Sequence, residues 1–167
     1  KTASLAFSVL VDTTPPVAAT LSALSKVAAY YGPPRVIALG DSFHDQLGGE
    51  RLTEDSRCAI SALQKGRDWI WISGNHDPER VAGIGGRFAD FLQLGPLRFQ
   101  HQPGEQANEI VGHFHPVARV SVRGRSLRRR CFAGSNSRLV MPAFGAFTGG
   151  FNIRNDVFRD ILGADFL

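Results

Sequence analysis

Two unbroken apolar runs, Val36-Ile37-Ala38-Leu39 and Trp69-Ile70-Trp71-Ile72, constrain this chain more than any other feature. A run without polar alternation offers no face to water, so it reads as a strand covered on both sides, the condition of a parallel sheet inside α/β layers. Helical spacing precedes each run. Val17, Leu21, Leu24 and Ala28 fall on one helix face after Pro15-Pro16, and Gly32 stops that helix before Pro33-Pro34. Leu52, Ala59, Ile60 and Leu63 predict a second helix, closed by Gly66. Helix, strand, helix, strand predicts α/β layering with mainly parallel early strands.

The second half changes character. Arg87 to Leu94 predicts a short helix, and Leu97-Arg98-Phe99, Glu109-Ile110-Val111, Val117 to Arg123 and Arg130-Cys131-Phe132-Ala133 predict short strands. The tail from Arg154 to Leu167 predicts a terminal helix or an ordered end. At 167 residues the chain suits one domain, 1-167, with two mixed sheets packed between helices. Trp69 and Trp71 are expected in the core, Cys58 as a small buried group, and Phe144, Phe147 and Phe151 as packing residues before base-stacking ones. Cys58 and Cys131 are too few for a disulfide framework, which favours a reducing, cytoplasmic setting. No apolar run reaches the roughly 18 residues of a membrane span, so no membrane partner is expected.

The net charge of +4 is unevenly placed. Arg119, Arg123, Arg125, Arg128, Arg129 and Arg130 lie between His115 and Cys131 with no acid among them, and the rest of the chain is slightly acidic. The segment is either a phosphate-binding patch, since guanidinium binds phosphate bidentately, or a solvated hairpin whose polar face happens to be arginine.

The polar residues follow the strands. Gly40-Asp41-Ser42-Phe43-His44-Asp45 ends the first run, Gly74-Asn75-His76-Asp77 the second, and His101 and Gly112-His113-Phe114-His115 follow later ones. All five histidines of the chain fall in these stretches. Open α/β sheets place ligands at the carboxyl ends of their strands, and a preceding glycine lets the backbone turn a side chain into a shared cleft. A His-x-His pair in an extended segment projects both imidazoles to one side, which suits adjacent metal ions. Carboxylate, amide and imidazole without thiolate suit Mn²⁺, Fe or Zn²⁺.

Gly40-Asp41, Gly74-Asn75-His76-Asp77, His101 and Gly112-His113-Phe114-His115 together resemble the calcineurin-like metallophosphoesterase superfamily. The phrases GDSFHD, GHFHP and LVMPAFGAFTGG resemble, more narrowly, the ligase-associated DNA-damage-response endonucleases of bacteria. The resemblance implies a four-layer α/β/β/α sandwich and a phosphodiesterase acting on DNA with two divalent ions, Mn²⁺ before Fe or Zn²⁺. It implies Asp41 as the carboxylate shared by both ions, Asn75, His101 and His113 as further ligands of one, and His115 as a ligand of the other. His76 is implied as the imidazole that stabilises the phosphoryl group or protonates the leaving oxygen. His44 is implied as a second active-site histidine, and Asp45 as a group orienting either. Arg128, Arg129 and Arg130 are candidate substrate contacts, and DNA-repair proteins such as an associated ligase are candidate partners. The superfamily opens with an Asp-x-His strand, and none precedes Asp41, so the domain is expected to lack its first strand. The alternatives are a hydrolase of a nucleotide or other small phosphoester, and a non-catalytic scaffold of the same fold. The oligomeric state stays open.

Overall fold

The computed structural model describes residues 4–8, 16–43, 47–77, 81–145, 148–163 and 166. In chain order they form β1 (Ser4–Phe7), α1 (Pro16–Tyr31), β2 (Arg35–Leu39), α2 (Glu54–Gln64), β3 (Asp68–Ile72), β4 (Arg87–Ala89) and β5 (Phe91–Leu94). There follow β6 (Leu97–Gln100), β7 (Glu109–Val111), β8 (Val117–Val122), β9 (Arg125–Arg130), β10 (Ala133–Gly134), β11 (Arg138–Val140) and α3 (Asp156–Leu162). Strands β1-β2-β3-β4 form one sheet, parallel throughout. Strands β10-β11-β7-β6-β5 form a second, mixed sheet, and β8-β9 a separate hairpin.

Three apolar clusters define the layers. Val36, Ala38, Trp69 and Trp71 of the parallel sheet pack with Val17, Leu21, Leu24, Ala28, Ile60 and Leu63 of the two helices. From the other face, Ile37, Leu39, Ile70 and Ile72 pack on Phe99, Leu92, Leu94 and Ile110 of the mixed sheet. The far face of that sheet, Val111 and Val140, packs on Phe158 and Leu162 of α3. The order is helix, sheet, sheet, helix, and each unbroken run is covered on both faces because it lies between layers. Complete burial of each aliphatic side chain stabilises the fold by about 1.5–3 kcal/mol. Thr53 caps α2, its hydroxyl accepting from Ser56 N at 3.2 Å, and Glu54 and Asp55 face the positive end of the helix dipole.

Three expectations are corrected. Residues 87–94 form no helix. Arg87-Phe88-Ala89 pairs in parallel with Ile70-Trp71-Ile72, and Phe91–Leu94 folds antiparallel onto Leu97–Gln100. The open edge of β3 and the nearby β6 supply ladder bonds that override a weak local helix preference. Arg130 to Ala133 is not a strand of its own: Arg130 ends β9, which pairs with β8 along its whole length. Cys58 is exposed, because α2 turns Ile60 and Leu63 inward and leaves the thiol beside Glu54. Ser4–Phe7, which carries no Asp-x-His, pairs in parallel with β2 as β1. Among the described residues, no helix is long and apolar enough to cross a membrane.

The buried carboxylate of Glu109 ties the mixed sheet to the loop after His101. It accepts from Arg138 Nε (2.7 Å), Gln100 Nε2 (2.9 Å) and Gly104 N (3.1 Å), and Arg138 also donates to Ile161 O. Arg138→Ala would strand a buried charge, and equilibrium urea unfolding is expected to show a loss of about 3–5 kcal/mol. Loss below 1 kcal/mol would mean that the Glu109 network does not hold the second sheet.

Candidate metal centre

The carboxyl ends of β2, β3, β6 and β7 meet at one point, and His101 lies at its centre. His101 is 4% exposed, and its Nδ1 stands 2.8 Å from the carbonyl oxygen of Leu39. A carbonyl only accepts, so Nδ1 carries the proton and Nε2 is turned the other way. There Nε2 meets Asn75 Oδ1 at 2.9 Å, His113 Nδ1 at 3.0 Å and Asp41 Oδ2 at 3.1 Å. With His101 neutral, Nε2 and the oxygens of Asp41 and Asn75 direct lone pairs at one another. A proton on Nε2 or a cation among the donors satisfies them.

This arrangement fits a divalent ion. Asp41, His101 and His113 offer ligand atoms all within 4.8 Å of one another. Neighbouring ligands about 2.1 Å from an octahedral ion stand about 3 Å apart, the spacing found around His101 Nε2. A set of oxygen and imidazole donors without sulfur suits Mn²⁺, Fe or Zn²⁺.

The backbone is strained to make this set. Asp41, His113 and His115 have φ of 47°, 58° and 46°, left-handed values that cost non-glycine residues about 1–3 kcal/mol each. Gly40 precedes Asp41 with φ of 76°, and a Cβ there would lie 2.5 Å from His101 Nδ1. Asp77 holds the two turns together. Its Oδ2 accepts from Ser42 N (2.6 Å) and Phe43 N (3.1 Å), and its Oδ1 from Gly74 N (3.1 Å). Asp41 Oδ1 in turn accepts from His76 N at 2.9 Å.

The electrostatics match the geometry. Burial works against charge on both Asp41 and His101. Their mutual hydrogen bond and opposite charges outweigh it, so Asp41 lies below the usual carboxylate range and His101 above the usual imidazole one. Burial, with the charge of His101, lowers His113. Burial above all pushes His115 down to about 4, leaving a neutral imidazole at physiological pH. Burial likewise pushes Asp77 up to about 6, against the backbone N–H groups that favour its anion.

Of the residues singled out in the sequence, Asp41, Asn75, His101 and His113 converge. His115 lies beside them, its Nε2 3.2 Å from Ser8 Oγ, rather than in the converging group. His76 sits on the exposed rim of the site. His44 and Asp45 lie outside the described residues. Arg128, Arg129 and Arg130 stand on the exposed strand β9, and Arg128 and Arg130 donate to the backbone carbonyls of Gly150, Phe144 and Gly145. Two contributors carried no assigned role in the sequence reading. Asp77 closed a motif already noted, and its buried position was the missing signal; Ser8 had no signal at all.

No family model matches the sequence, and no curated protein sequence does. Among solved structures the chain is similar to the nuclease MPE of Pseudomonas putida, with a TM-score of 0.72 and 26% identity over 90% of this chain and 77% of that one. The fold is therefore the layered α/β sandwich of a nuclease. A nuclease-like fold and a cluster of one Asp and two His able to hold a metal support a metal-dependent hydrolase.

Two substitutions away from the ligands test this geometry. Gly40→Ala displaces His101, and calorimetric titration is expected to show Mn²⁺ affinity reduced about 10- to 100-fold. Asp77→Asn sets an amide N–H₂ against backbone N–H groups. It is expected to lower stability by about 1–3 kcal/mol and to weaken Mn²⁺ binding by a similar 10- to 100-fold. Wild-type affinity in both variants would refute the role given to the His101 cluster.

Proposed function

We propose that this protein is a metal-dependent nuclease of the metallophosphoesterase kind that hydrolyses DNA phosphodiester bonds. The observation that carries the reading is the meeting of Asp41, Asn75, His101 and His113 around one imidazole nitrogen at the carboxyl ends of the strands. These four residues would hold one ion, and Asp41 with His115 would serve a second. Mn²⁺ is the first candidate, then Fe or Zn²⁺. When bound, such ions polarise phosphoryl oxygens and make coordinated water a nucleophile at neutral pH.

The chain's own residues supply the rest. Asp41 is held anionic by His101, and the His76 amide fixes one of its oxygens, so the carboxylate keeps one orientation. His76 projects at the rim, where its imidazole would offset charge on the phosphoryl group or give a proton to the leaving oxygen. The backbone bonds of Asp77 fix the separation of the Asp41 and His76 turns. His44 and Asp45 keep the roles that the resemblance implies, a second active-site imidazole and an orienting carboxylate. A place in DNA repair with an associated ligase, a cytoplasmic setting and a single domain rest on the resemblance and composition alone.

A cleft of about 360 Å³ opens beside Asn75 and His101, lined also by Ser73, Asp90, Gln100 and Gln102. Its size favours, as a second reading, a nucleotide or other small phosphoester as substrate.

Purified protein with Mn²⁺ is expected to hydrolyse bis-(p-nitrophenyl) phosphate and DNA, and chelation is expected to abolish both. Hydrolysis of a nucleotide but not of DNA would support the second reading. Absence of bound metal and of all hydrolysis would leave a scaffold. His76→Ala is expected to lower kcat about 10²- to 10⁴-fold with Mn²⁺ still bound, whereas His113→Ala is expected to lose the metal.

A further inference from the structure

The hairpin of β8 and β9 begins at Val117, two residues after His115, and returns at Arg130. Its root is fixed to the body: Val117 N donates to Phe151 O at 2.9 Å and Cys131 N to Pro116 O at 3.1 Å. Arg128 Nη2 donates to Gly150 O at 2.7 Å, and Arg130 donates to the carbonyls of Phe144 and Gly145. Gly150 in turn lies against the His115 carbonyl so closely that no Cβ fits between them. Arg128 and Arg130 thus brace the hairpin on the segment beside His115.

The remaining four arginines stand differently. Arg119, Arg123, Arg125 and Arg129 are exposed, none forms an ion pair with a carboxylate among the described residues, and Arg129 Nη1 donates to the adjacent carbonyl of Arg128, on its own strand, at 3.1 Å. Arg119 faces Arg128 directly across the ladder, and like charges so placed repel. The turn joining the strands, Arg123 (φ 49°) and Gly124 (φ 75°), brings a further arginine to the tip. A two-stranded ribbon outside both sheets has little stability to spare, yet this one carries six cations and no acid. Such a surface is completed by a polyanion, and its root lies on a site suited to phosphoesters.

We infer that Arg119, Arg123, Arg125 and Arg129 form an arm that grips the phosphate backbone of a nucleic acid, while Arg128 and Arg130 hold that arm against the metal centre. The choice of nucleic acid rests on the nuclease reading. Of the three arginines singled out in the sequence, only Arg129 belongs to the gripping set.

The test is fluorescence-anisotropy titration of a labelled 20-mer oligodeoxynucleotide with the full chain in EDTA, at about 50–200 mM salt. R119A/R123A/R125A/R129A is expected to weaken binding at least ~10-fold and to make the slope of log K against log salt shallower by about 3. The glutamine version of the same variant repeats the measurement with long polar side chains in place, should the alanine version unfold. K26A/K65A/R154A/R159A removes as much charge from the body and is expected to keep the wild-type slope. An unchanged slope in the arm variants, or an equal loss in the body variant, overturns the inference. Tighter binding to phosphatidylserine vesicles than to the oligonucleotide overturns it in favour of a membrane surface. Binding is read without metal, so failed hydrolysis with an intact arm effect counts against the nuclease reading alone.

Discussion

His101 directly follows β6 of the mixed sheet but gives its Nδ1 proton to the Leu39 carbonyl of the parallel sheet, and the arrangement of the site depends on that bond. It fixes the tautomer, so Nε2 must face Asp41, Asn75 and His113. It also fixes how closely the ends of β2 and β6 approach, which only Gly40 allows. Asp41 is then left on a left-handed backbone with its carboxylate aimed at the imidazole. One hydrogen bond between sheets thus sets both the distance and the chemistry of the centre.

Holding three non-glycine residues at positive φ is costly, and the compensation lies close by. Asp77 accepts from three backbone N–H groups and keeps the β2 and β3 turns at one separation. Glu109 does similar work behind His101, binding β11 through Arg138 and the 104 turn through Gly104 N. Both carboxylates are buried, and each accepts several hydrogen bonds that offset part of the cost of burial. The turns that present Asp41 and His101 are therefore held by networks outside the candidate ligands.

Much of the layering was legible because burial leaves a direct trace. The runs at Val36 and Trp69 are apolar without alternation because each lies between two layers, and the α1 face at Val17, Leu21, Leu24 and Ala28 is apolar because it covers one of them. Residues 87–94 were not legible: their ladder bonds come from β3 and β6, neighbours that the local pattern does not name. The exposure of Cys58 was not legible, because a lone small residue on a helix does not report which way the helix is turned. The arginine hairpin was half legible. Its alternation announced strands, but the division of its guanidiniums between backbone carbonyls and solvent depends on a loop about 20 residues later in the chain.

The sequence by itself determined which residues could meet, since glycine, acid, amide and imidazole stand wherever a buried strand ends. It also determined the donor types on offer, because carboxylate, amide and imidazole groups appear there and thiols do not. The tertiary structure alone decided which of them do meet: Asp41, Asn75, His101 and His113 around one nitrogen, with His115 beside them against Ser8. The reason is range. Strand and helix faces are set by periodicities of two and 3.6 residues. The distance from Leu39 O to His101 Nδ1 spans 62 positions and exists only once both sheets are packed.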